Sequence, residues 1–104
     1  MSQQDVFKAI ADPTRRAIIE LLTLENLNLN DVVAHFEMSR PAVAKHINIL
    51  SKSGLVKVET RGRERIHRLQ PAALKTATDW LNYYSQFWDE KLTDLKTAVE
   101  ADHE

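Results

Sequence analysis

Residues 39–69, from Ser39 to Leu69, read SRPAVAKHINILSKSGLVKVETRGRERIHRL. The first half of this stretch has a helical period. Val43, Ile47 and Leu50 fall on one face, and Arg40, Pro41, Ala44, Lys45 and Asn48 fall on another. Ser39 is a good N-cap, Pro41 suits a first turn and Gly54 is a stop, so the spacing predicts a helix between Ser39 and Gly54. After Gly54 the period changes to two. Residues 55–60 and 65–69 read as strands, and Arg61, Gly62, Arg63 and Glu64 between them contain the glycine a hairpin loop needs.

Upstream, Val6, Phe7 and Ile10 share a face of a short first helix. Asp12 followed by Pro13 is an N-cap with proline in the first helical position, so a second helix begins there, with Ile18, Leu21 and Leu22 as its apolar face. Asn26, Leu27 and Asn28 break that pattern. Asn30 can cap a third, short helix carrying Val32, Val33 and Phe36. Only Glu37, Met38 and Ser39 then remain before the fourth helix, so the pair is expected to form a helix-turn-helix. Downstream, Gln70-Pro71 ends the hairpin. Leu74, Ala77, Leu81, Tyr84, Trp88, Leu92, Leu95 and Val99 recur every three or four residues, a long amphipathic helix over about 71–99. The expected order is α-α-α-α-β-β-α: a mostly helical winged helix-turn-helix with a β-hairpin wing. No linker or repeat interrupts it, so residues 1–104 are expected to form one domain.

Composition narrows the chemistry. The 104 residues include no cysteine, two glycines and three prolines. Absence of cysteine excludes disulfides, thiolate metal ligands, iron–sulfur ligation and a thiol nucleophile. No apolar run is long enough for a membrane span or a signal-peptide core, so a soluble, cytoplasmic chain with no membrane partner is expected. Net charge is −1, but it is unevenly spread. Residues 39–70 carry eight basic side chains against Glu59 and Glu64, a net +6, and the rest of the chain carries −7. Positive charge confined to one third of the sequence points to an anionic partner on one face.

The exposed face of the fourth helix suits duplex DNA. Arg40 could reach guanine, Asn48 an adenine edge and Lys45 a phosphate or base, while Pro41 and Ala44 let the helix approach closely. Arg61, Arg63 and Arg65 on a narrow hairpin, with Lys57 and Arg68 beside them, suit phosphate or minor-groove contact. Ser39, Arg15 and Arg16 are further candidates for the phosphate backbone. Two other readings stay open. The same helix and wing could dock on an acidic protein, or the regulator could respond to a small molecule.

At residues 12–22 and 39–56 the chain resembles the ArsR family of winged helix-turn-helix repressors. Asp12-Pro13-Thr14-Arg15-Arg16 through Leu22 is similar to that family's second-helix signature, and Ser39-Arg40-Pro41 through Leu50, then Gly54-Leu55-Val56, to its recognition helix and exit. The resemblance implies a homodimer formed by the first and last helices that represses transcription at a pseudo-palindromic operator. Without cysteine in the third helix, and with Leu81 and Asn82 after Asp79 where a histidine-containing pattern would be expected, the resemblance is to the metal-independent subgroup. That subgroup includes autorepressors of the SdpR kind. Ala44 stands where the family usually has serine.

No structural metal or other cofactor is expected. Asp31 and His35, four apart, are read as a surface pair, His46 as packed on the flank of the recognition helix, and His67 as lying against the core with Leu69. His103 and Glu104 fall in a tail expected to fray. No nucleophile–base set has a recognisable context, so no enzymatic activity is expected. Trp80, Tyr83, Tyr84, Phe87 and Trp88 crowd nine residues of the last helix. An intramolecular core would take Tyr84 and Trp88. All five, Tyr84 and Trp88 included, with Val6, Phe7, Ile10, Leu92 and Leu95, are expected at a dimer interface, or lining a ligand pocket between subunits.

Overall fold

Three helices start on the same device. The side chains of Asp12, Asn28 and Ser39 each accept a hydrogen bond from the backbone N–H three residues on, at 3.0, 2.8 and 3.2 Å. Each satisfies a donor that the first turn of a helix leaves without a partner. In the computed structural model, which describes residues 3–102, the elements are α1 (Gln3–Ala9), α2 (Pro13–Leu24), β1 (Leu27–Asn28), α3 (Leu29–Val33), α4 (Arg40–Lys52), β2 (Val56–Arg61), β3 (Glu64–Leu69) and α5 (Pro71–Asp102).

Several details differ from the sequence reading. Asn28, not Asn30, caps α3. The break at residues 26–28 contains a strand, β1, which pairs antiparallel with β3, Leu27 opposite His67 and Asn28 opposite Ile66. The sheet is therefore three-stranded, in the order β1-β3-β2. Two residues are too few for any alternation to be read. The hairpin is also tighter than expected: Arg61 pairs with Glu64, leaving only Gly62 and Arg63 in the turn. Gly62, with φ of 62°, takes the first central position, where such a turn calls for glycine. Finally, α3 ends at Val33, so His35 lies beyond it and does not share a helical face with Asp31. His103 and Glu104 lie outside the described residues.

The exit from α4 fixes the wing. Gly54, with φ of 85°, allows its own N–H to reach Ser51 O and the N–H of Leu55 to reach Leu50 O, both at 3.1 Å. This 6→1 and 5→2 pair closes the helix and turns the chain directly into β2. Gln70 N donates to Leu55 O at 2.7 Å, closing the base of the hairpin.

One core gathers every element but the overhang of α5. Val6 and Ala9 from α1, Ile18 and Leu22 from α2, Leu27, Val32, then Val43, Ile47 and Leu50 from α4 meet Leu55, Val56 and Ala77. Ser53 is buried too, and its hydroxyl donates to Leu50 O at 2.8 Å. Ala77 is the last buried residue of α5. At about 1.5 Å per residue, the 32-residue helix is roughly 48 Å long. Most of it projects beyond the domain and accounts for the 71 × 29 × 21 Å shape.

Candidate nucleic-acid interface

Helix α4 is held by its inner face and presents the other. Val43, Ile47 and Leu50 are buried, while Arg40, Pro41, Lys45 and Asn48 are exposed and Ala44 is half-buried. Opposite α4 stands the wing. Between them lies a groove of about 450 Å³, with Arg40, Ala44, Asn48 and Ser51 on the helix side and Arg63 and Arg65 on the wing side. Asn28, Asn30 and His67 also line it. Chain segments up to 25 residues apart in sequence thus bring five of the expected DNA-contacting residues around one groove, with Lys45 exposed on α4 outside the lining.

The remaining wing cations are divided by the two-residue period of the strands. Val58 pairs with His67 and Thr60 with Arg65, so these four share the face turned to the groove. Lys57, Glu59 and Arg61 alternate with Val58 and Thr60 and so face the other way. There Arg68 donates to Glu59 Oε1 at 3.2 Å and Arg61 lies 3.7 Å from Glu59 Oε2. These exposed pairs are weak, and both guanidinium groups keep donors for another anion.

His67 is the buried polar residue of this region, in phase with Leu69 and against the core as expected. A carbonyl only accepts, so His67 Nδ1 donates to Leu27 O at 3.0 Å and ties β3 to β1. Burial, with a lesser contribution from the charge of Arg65, holds the imidazole pKa below the usual histidine value against the opposing effect of the Leu27 bond. The ring is therefore neutral at physiological pH.

Arg15 and Arg16 occupy a different place from the groove. Arg15 Nε donates to Ala9 O at 2.7 Å, Nη2 to Lys8 O at 3.1 Å, and Nη1 to His46 Nδ1 at 3.2 Å. Arg16 Nη1 donates to Ile10 O at 2.7 Å. Both arginines thus hold the end of α1 and the turn after it. Asp12 beside them has its carboxyl pKa lowered, chiefly by the N–H of Arg15, with the charge of Arg15 acting the same way against desolvation. Sequence reading missed this junction, although Arg15 follows the Asp12 cap by three residues and so had to face back along the chain.

The expected dimer residues also divide. Val6 is turned into its own core, whereas Phe7 and Ile10 stay half-buried. Phe7 packs edge-on to Trp80 at 5.4 Å, and Trp80, Tyr84, Tyr83 and Phe87 continue as a chain of ring contacts of 4.6–5.3 Å. Tyr84 and Trp88, the two rings an intramolecular core would have taken, are exposed by 48% and 63% within the protomer. The reason is geometric: α5 is last buried at Ala77 and last meets the domain at Trp80, before either residue can reach the core. Leu81, Leu92, Leu95 and Val99 are exposed as well.

Known proteins share this arrangement. The family model described as bacterial regulatory protein, arsR family, matches residues 12–58. The transcriptional repressor SdpR of Bacillus subtilis is 34% identical over 77 residues, covering 74% of this chain and 86% of that protein. The chain belongs to the ArsR family. The HTH-type transcriptional regulator Rv2034 of Mycobacterium tuberculosis is 33% identical over 104 residues, covering 97% of this chain and 92% of its own. Among solved structures, an ArsR-like transcriptional regulator from Rhodococcus sp. RHA1 superposes with a TM-score of 0.78 at 32% identity, over 94% of this chain and 90% of that one. This ArsR-family chain is accordingly a DNA-binding transcriptional regulator and not an enzyme. Among the described residues no helix is long and apolar enough to cross a membrane.

Proposed function

We propose that this ArsR-family chain is a homodimeric repressor that reads a pseudo-palindromic operator, with α4 in the major groove and the wing on the flanking backbone or minor groove. The observation that carries this reading is the shared groove of Arg40, Ala44 and Asn48 with Arg63 and Arg65. Bases are read by Arg40, Lys45 and Asn48, with Pro41 and Ala44 permitting close approach. Ser39, Arg16, Lys57, Arg61, Arg63 and Arg65 are assigned to phosphates. Relatives named as repressors support the direction of regulation. The lack of any cysteine supports a metal-independent regulator, and a DNA partner implies a cytoplasmic one.

The dimer is assigned to α5. Leu81, Tyr84, Trp88, Leu92, Leu95 and Val99 follow one another every three or four residues and all are exposed. A second copy offering the same stripe buries both. A solved homodimeric winged helix-turn-helix domain, Mb0332 of Mycobacterium bovis, has the same fold with a TM-score of 0.64, over 81% of this chain and 80% of that one. The test is fluorescence anisotropy of a labelled duplex at several salt concentrations. Arg63→Ala is expected to weaken binding to every sequence and to reduce the log–log salt slope by about one unit per lost phosphate contact. Unchanged affinity and slope would remove the wing from the interface.

A further inference from the structure

We propose that Arg15 is a positioning residue for the recognition helix, one that ties the angle of α4 to the dimer surface, rather than a phosphate contact. This rests on the reading of α4 as the DNA-reading element and α5 as the dimer element. Its guanidinium joins three helices at once. Rooted in α2, it holds the last carbonyls of α1 through Nε and Nη2, and with Nη1 it donates to His46 on α4. A guanidinium has only donors, so His46 Nδ1 is the acceptor and the ring proton sits on Nε2. Asp12 caps α2 at this junction by accepting the backbone N–H of Arg15 at 3.0 Å, and its carboxylate lies 3.9 Å from His46 Nδ1.

The other end of the path is α1. It packs against both α4 and α5, and its Phe7 meets Trp80, the first residue of the exposed aromatic run, edge-on. His46 is next to Lys45 and two residues before Asn48, both assigned to base reading. A change in the seating of α1 against α5 therefore reaches the base-reading face through Arg15 as well as through the direct packing of α1 on α4. In a symmetric dimer this sets the separation of the two recognition helices, to which a two-half-site operator is sensitive and a non-specific duplex is not.

The experiment separates the two roles of Arg15. Two duplexes are used: one selected by the wild-type protein from a randomised 30-bp pool, and poly(dI-dC). Arg15→Lys keeps the charge, and lysine serves a phosphate as a point charge, but its single nitrogen cannot span the separated acceptors that Nε, Nη1 and Nη2 reach. Positioning predicts that Arg15→Lys lowers affinity for the selected duplex about tenfold, with poly(dI-dC) affinity and salt slope unchanged. His46→Leu, which lacks the acceptor, is expected to do the same, and His46→Gln, whose amide oxygen accepts, to restore binding. Circular dichroism melting checks that each variant folds, and the His46 pair decides the matter should Arg15→Lys not fold. Wild-type binding of the selected duplex by Arg15→Lys and His46→Leu, or an equal loss on both duplexes, would overturn the inference. A wild-type protein that sediments as a monomer, or binds neither duplex, would instead remove the reading beneath it.

Discussion

At the scale of single residues, His67 makes the wing sensitive to acid. Its pKa is lowered in the fold, mainly by burial, so below about pH 6.5 the unfolded chain binds a proton that the folded chain resists. Stability is then lost as pH falls through the unfolded value, the reverse of a histidine that gains an acidic partner. Melting temperature is expected to drop between pH 7.5 and 5.5, with a smaller drop in His67→Gln. A melting temperature flat across that range would contradict the burial of a neutral ring. The phase of His67 with Leu69 was legible in the sequence because strand alternation needs only a few residues. Its bond to Leu27 was not, since β1 lies 40 positions away. The same holds for Arg15: its charge suggested DNA, and only the fold shows α1 carbonyls in reach.

At the scale of elements, the starts of α2 and α4, the α4 stop and the presence of a wing were readable, because caps, prolines and glycines act over three or four residues. Helix α4 keeps its expected Ser39 cap and Gly54 exit. The short elements were readable only in part: a third helix was expected, but not its Asn28 cap or its end at Val33, and the two residues of β1 offer no alternation to read. The wing turn gives a sharp prediction. An added Cβ at Gly62 meets nothing within 4 Å, so Gly62→Ala has room, yet φ of 62° disfavours any L side chain. The cost is conformational, about 1 kcal/mol, and denaturant melts are expected to show that loss. A neutral substitution would mean that the turn readily adopts another geometry. The division of wing cations between two faces follows from register, which the sequence left open by allowing a four-residue loop.

At the scale of the molecule, two features stand apart from the core. One is the charge, +6 within residues 39–70 and −7 elsewhere, which favours approach of a polyanion to α4 and the wing and disfavours it at other faces. The other is α5, whose apolar period was legible while the limit of its docking was not: nothing local states that contact with the domain ends at Trp80. Trp88 and Leu92 on the overhang touch no core, so Trp88→Asp is expected to leave the protomer folded and to shift it to monomer in sedimentation equilibrium. A dimer unaffected by that change would place the contact elsewhere.

Both features meet in the stoichiometry of the DNA complex. Sedimentation velocity of the protein with a labelled duplex selected by it from a randomised pool measures this directly. A homodimer reading two half-sites through α4 and the wing predicts two protomers on each duplex, with binding that weakens steeply as salt rises. One protomer per duplex, or a complex indifferent to salt, would contradict it.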